Sequence, residues 1–126
     1  MTSADDCTRR VVIAFNEAVN RRDLEALAAL MTDDHTFVDS AGSVLAGKDD
    51  VLAAWSGFFE SFPDYRNDWS EVTSKDATVT AIGRSACSTE PALRGPAIWT
   101  ARVSDGKVSE WRVHEDTPVN RRHLGI

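Results

Sequence analysis

Cysteine and histidine are scarce in this 126-residue chain, with two of the first and three of the second. Cys7 and Cys87 stand far apart and make no CxxC pair. They read as two reduced thiols and not as a disulfide framework. So few soft donors leave no closed zinc site, and neither a metal nor an organic cofactor is expected. HExxH, a Walker loop and GxGxxG are all missing, which sets aside three common metal and nucleotide signatures. No apolar run approaches the ~20 residues that a membrane helix needs. The opening MTSADDCTRR has acids where a secretory leader has bases, and no apolar stretch follows. A cytoplasmic location is the expectation. Basic residues are the minority, 14 against 20 acids, for a formal net charge of -6. Such a field repels phosphate backbones and anionic lipid. The pairs Arg9-Arg10, Arg21-Arg22 and Arg121-Arg122 are scattered along the chain, so nucleic acid and membrane are not expected partners. Repeats and low-complexity tracts are absent too, and the length suits one domain over residues 1–126.

What is present is a clear change of period along the chain. Val11, Val12, Phe15, Ala18 and Val19 fall on one helical face, with Arg9, Arg10, Glu17 and Arg21 opposite. A short second helix follows Asp23, a fair N-cap, with Leu24, Leu27, Leu30 and Met31 apolar, and Asp33-Asp34 ends it. HTFVD, residues 35–39, then alternates as a short strand, with His35, Phe37 and Asp39 on one face. A third helix is expected from about Asp49 to Phe62, with Val51, Leu52, Trp55, Phe58, Phe59 and Phe62 as its stripe. Pro63 stops it. The remainder reads as four strands, near Asn67–Thr73, Ala77–Thr89, Ala97–Val103 and Lys107–Asp116. Asp105-Gly106 is the strongest hairpin signal in the chain. Helices followed by an antiparallel meander give an α+β domain with helices on one face of a curved sheet.

That order of elements, with the strings FNEAVNRRDLEALAALMTDDHTFVD, G-K-x-x-V, FPDYR, SDGKVSEW and HED…HLGI, resembles the SnoaL-like branch of the nuclear transport factor 2-like superfamily. The strings span nearly the whole chain in the family's order. The resemblance implies a cone: a strongly bent, mostly antiparallel sheet wrapped by three N-terminal helices, with one open mouth. It also implies a homodimer. The superfamily holds polyketide cyclases, ketosteroid isomerases, epoxide hydrolases and dehydratases beside non-enzymatic binding proteins, so fold alone does not give function.

Asp39 falls where the isomerase-like stretch carries its general base. A carboxylate enclosed by apolar side chains is desolvated and becomes a better proton acceptor. The alternative is a turn-initiating aspartate bonded to backbone N–H groups near Gly42. The family's oxyanion tyrosine falls on Phe15, which cannot donate, and its second aspartate falls near Trp99, whose indole N–H can. Asp116 matches the closing aspartate of the epoxide-hydrolase strand, but Val113 stands at the first acid of that pattern, so that water-activating relay is incomplete. Alternation places Arg112, His114 and Asp116 on one face and Trp111 and Val113 on the other. A bulge would invert the count, so either set can line the cavity.

Candidate catalytic residues are therefore Asp39, Asp116 and His114, an imidazole that titrates near neutrality. Candidate substrate-binding residues are Phe15, His35, Trp55, Phe59, Arg84, Trp99 and Trp111. The aromatics serve equally as plain core. Arg84 either meets a substrate oxyanion or faces outward, and Asp116 either catalyses or pairs with an arginine of its neighbourhood. The expected function is a cofactor-free enzyme acting by proton transfer on a small hydrophobic carbonyl compound, leading to cyclisation, isomerisation or dehydration. Two alternatives stay open: a non-catalytic small-molecule-binding module, and a dimeric interaction domain with a filled cone.

Overall fold

The computed structural model describes residues 4–126. Helix α1 spans Ala4–Arg21 and α2 spans Leu24–Ala29. In α1 the spacing of Val12, Phe15, Ala18 and Val19 puts all four inside, while Arg10, Ile13 and Glu17 face out. Arg22, at φ 56, breaks the helix. Asp23 then caps α2, its carboxylate accepting the Ala26 N–H at 3.1 Å. Strand β1 covers Met31–Val38, β2 Val44–Ala46, and helix α3 Lys48–Ser61. Val51, Trp55 and Phe59, one helical step apart, are the buried ridge of α3. Four strands follow: β3 Arg66–Lys75, β4 Thr78–Ala86, β5 Gly95–Ser104 and β6 Lys107–Glu115. A single 3-10 turn, Pro91–Leu93, lies between β4 and β5, and a last helix, α4, covers Pro118–Leu124.

The six strands form one sheet in the order β2-β1-β6-β5-β4-β3. All pairs are antiparallel except β1 with β6. This is the mostly antiparallel, helix-wrapped α+β architecture expected of the chain. The β5–β6 turn is carried by Asp105 and Gly106 at φ 53 and 74, the primed hairpin geometry that Asp-Gly favours. Curvature enters through bulges. One in β3 lies between Trp69 and Glu71, across from Gly83 and Ile82. Gly83 is tied to that bend, because a Cβ there would stand 2.1 Å from the Asp68 carbonyl oxygen. A second bulge, at Ser109, shifts β6 so that Val108 and Trp111 both turn inward.

Several elements differ from the sequence reading, and β2, Val44–Ala46, was not expected at all. The second helix stops at Ala29, not at Asp33, and β1 begins at Met31. The β1–β6 register slips between Met31 and Thr36, so this stretch lacks the plain alternation by which a strand is recognised. The long strand expected to run to Thr89 ends at Ala86. The tail beyond Asp116 is helical, capped by Thr117 at the front and by Gly125, left-handed at φ 72, behind. Among the described residues, no helix is long and apolar enough to cross a membrane.

Helix α1 crosses the concave face of the sheet and is clamped to β3 by asparagines. Asn20 accepts the Asn67 N–H at 2.8 Å and donates to its carbonyl at 2.9 Å. Asn16 accepts from the Asn67 side chain at 3.2 Å. Ser85 donates to Asn67 Oδ1 at 3.0 Å, so its hydroxyl oxygen is left to accept from Tyr65, 3.3 Å away. Each buried polar group in this string has a partner, which keeps the clamp from destabilising the core.

Candidate functional site

The strand registers bring one end of each element to a common rim. Val38 sits beside Arg112, Trp99 beside Val113, Gly95 beside Ser85, and Asn67 beside Ser85. Just beyond this level lie the turn after β1, the segment between α3 and β3, and the 3-10 turn. Between that end of the sheet and α3 is a cavity of about 310 Å3. Phe37, Trp99, Trp111 and Val113 form its sheet side, and Val51, Ala54, Trp55 and Phe58 its helix side. Leu45, Tyr65 and Leu93 complete the apolar wall, and Asp39 and Ser40 supply polar groups. The aromatic rings brace one another. Trp55 stacks on Phe59 at 5.5 Å and meets Phe37 edge-on at 5.8 Å, and Phe58 meets Tyr65 edge-on at 4.8 Å.

Asp39 is the one carboxylate among the residues lining this cavity, and no basic side chain joins it. Its Oδ1 accepts the N–H groups of Ala41 and Ser43, each at 2.9 Å. Its Oδ2 has no partner among the described residues. Both readings of Asp39 thus meet in one side chain: one oxygen organises the turn, and the other is uncommitted. The indole N–H groups of Trp55 and Trp99 are buried and have no acceptor within the described protein. A buried donor left unpaired is costly, so an acceptor that came within reach of either one would relieve that cost.

Other candidate residues are dispersed. The Ser109 bulge settles the facing of the last strand: Trp111 and Val113 line the cavity, and His114 points to the other face. There His114 Nε2 bonds Thr100 Oγ1 at 2.8 Å, and burial, then the neighbouring Arg112 charge, hold its imidazole below the ordinary value. Asp116 lies past the end of β6 in a two-pronged ion pair, with Arg121 Nε at 2.6 Å and its second nitrogen at 2.9 Å. That guanidinium holds the Asp116 carboxyl below its usual range. Arg84 is exposed on β4. His35 is fully buried, stacked on Phe15 at 5.7 Å, and its Nδ1 donates to the Val108 carbonyl at 2.7 Å. Its Nε2 is then bare and has no partner, and burial lowers its pKa. Phe15 packs on Trp111 at 4.4 Å behind the cavity, and Phe59 backs Trp55.

Of the ten candidate residues, the structure thus brings Asp39, Trp55, Trp99 and Trp111 to one cavity. The sequence reading did not single out Leu45, Tyr65, Leu93 or Ser40 as wall. Tyr65 carried a signal in FPDYR. Leu93, in a loop, carried none. Among the described residues, no group of three or more His, Cys, Asp or Glu is arranged to hold a metal, and Cys7 and Cys87 are free thiols.

A family model described as a SnoaL-like domain matches residues 12–111. No curated protein matches in sequence. Several solved structures share the fold. An LEH-like epoxide hydrolase from M. tuberculosis superposes with a TM-score of 0.79 at 19% identity, over 98% of this chain and 91% of that one. A protein named as a candidate SnoaL-like polyketide cyclase from Jannaschia gives 0.77 at 17%, over 92% and 90%. One named as a candidate ketosteroid isomerase from Kribbella flavida gives 0.74 at 21%, over 95% and 88%.

Proposed function

The chain belongs to the SnoaL-like domain family, and we propose that its cavity takes a small, mostly apolar carbonyl compound. Asp39 Oδ2 removes a proton from the carbon next to the carbonyl, and the Trp99 indole N–H donates to the oxygen on which charge then develops. The aromatic walls orient the substrate and exclude water. The observation that carries this reading is the single carboxylate, with one free oxygen, in a cavity lined, Ser40 aside, by aromatic and aliphatic side chains. Names of the solved neighbours, cyclase and isomerase among them, support the same class of chemistry. Asp116 and His114 take no part in it. Instead of serving catalysis, Asp116 is neutralised by Arg121, and His114 lies on the opposite face of the sheet. A homodimer, as the resemblance implies, belongs to the proposal, and sedimentation decides it.

The second reading is ligand binding without turnover. It is favoured by the two backbone N–H groups that hold Asp39 as a turn residue. Exchange of the α-hydrogens of 2-tetralone in D2O, followed by NMR, separates the two. Wild-type protein is expected to speed exchange, and Asp39→Asn to return it to the buffer rate. Equal exchange with both proteins ends the general-base reading and leaves the binding one.

A further inference from the structure

Residues 87–94 have no strand partner. Pairing on one side stops at Arg66 with Ala86, and on the other at Ser85 with Gly95. The segment closes on itself instead. Arg94 donates to the carbonyls of Cys87 and Ser88 at 2.6 and 3.0 Å, across its two ends. Glu90 caps the short turn by accepting the Ala92 N–H at 3.1 Å. Leu93 and Arg94 N–H groups bond back to Glu90 and Pro91. Its hydrogen bonds to the rest of the described fold run through Asp64, just after α3. That carboxylate accepts the Ser88 N–H at 2.9 Å and lies 3.6 Å from the Cys87 sulfur. Of these eight residues only Leu93 reaches the cavity wall. At the C-terminal end stands Gly95, at φ 117 with open space around it, a backbone state that side chains rarely adopt.

We propose that residues 87–94 form a flap over the cavity, latched by Asp64 and hinged at Gly95, and that Leu93 is the side chain that limits ligand length. This rests on the cavity being a ligand site. The flap moves as a unit because its bonds are internal. Opening breaks no ladder hydrogen bond, and apart from Cys87, buried at the base of the segment, Leu93 is the one apolar side chain it draws from the core, so it is the cheapest part of the wall to displace. Ligand enters by release of the Asp64–Ser88 contact and is retained when Leu93 returns. Leu93 is a specificity residue in this scheme and touches no reacting atom.

The test uses two neutral fluorescent ketones with one ring system, 6-propionyl-2-dimethylaminonaphthalene and its hexanoyl homologue. Wild-type protein is expected to bind the propionyl compound and to disfavour the hexanoyl one. Leu93→Ala should raise affinity for the hexanoyl compound about tenfold, the worth of two buried methylenes, while changing the propionyl affinity by less than about threefold. Leu93→Phe should weaken both. Asp64→Ala should speed association and dissociation of the propionyl compound together, about threefold or more. Equal shifts for both ketones in Leu93→Ala make Leu93 ordinary wall and overturn its role. Unchanged rates in Asp64→Ala overturn the latch. If wild-type protein and both Leu93 variants bind neither ketone, the cavity reading itself falls, and the flap with it. That outcome is distinct from wild-type binding with no length selection, which removes the flap alone.

Discussion

The two ends of this sheet are built from the same materials and do opposite things. At the closed end, against α1, Phe15, Trp111 and Trp69 stack in that order, with centroids 4.4 and 5.7 Å apart, and Trp99 tilts against Trp69 at 5.7 Å, while Trp111 and Trp99 also reach the cavity wall. At the open end Phe37, Trp55, Phe58 and Tyr65 are also in ring contact, yet they surround a space. What differs is the crossing helix. α1 is clamped against β3 by three asparagines, and α3 meets β1 and leaves the end of the meander uncovered. Aromatic content therefore does not distinguish core from pocket. The position of the helix that would fill the gap does.

Truncation on the two sides should break this symmetry most sharply. Phe15→Ala removes a fully buried ring from the closed end and is expected to cost about 3–5 kcal/mol in urea denaturation. Phe58→Ala, which lines the cavity and is only half-buried, should cost roughly half as much, and it should broaden ligand choice. Equal losses would mean that the cavity is not a preformed space.

Acid should act next, and chiefly through His35 at the closed end. His35 and His114 both have pKa values lowered by burial. The unfolded chain then takes up protons that the folded one refuses. Stability is unaffected well above pH ~6.5 and falls as pH drops below it, by up to ~1.4 kcal/mol per unit for one fully refused proton, until the folded pKa is reached. His35→Gln should flatten most of that slope, because His114 is the less enclosed of the two. An unchanged slope would assign acid sensitivity elsewhere. The smallest effect belongs to the rim. Asp116→Asn removes a partly exposed ion pair and should change stability by less than ~1 kcal/mol, with ketone binding untouched.

The four strands of the meander, the stripes of α1 and α3 and the Asp105-Gly106 hairpin were legible in the sequence because each obeys one local rule, whereas the three-residue β2 was not read at all. Asp39 was legible as a site residue with two possible roles, and it holds both, one per oxygen. Facing on the last strand was not legible. It depends on the Ser109 bulge, a two-against-one pairing with Arg102 and Val103 that only the partner strand reveals. His35 shares the inner face with Phe37 and Asp39, as alternation placed it, but stands deeper, stacked on Phe15 in the core and off the cavity wall. The helix after Asp116 had its signals, Thr-Pro in front and Gly behind, but so short a helix has little periodicity to read. Leu93 had no signal at all, since its contact with the cavity is made by a loop folding back across the rim.

The parallel pairing of β1 with β6 has a consequence for synthesis. β1 is among the first strands to leave the ribosome, and its long neighbour is the last. Until Val108 and Trp111 emerge, Met31 and Phe37 lack that neighbour, and β2 can pair only with Thr36, Phe37 and Val38. The nascent chain must therefore carry its N-terminal apolar faces unsealed through most of translation. Such a chain depends on late closure of a long loop, and its vulnerable interval ends only when the final strand arrives.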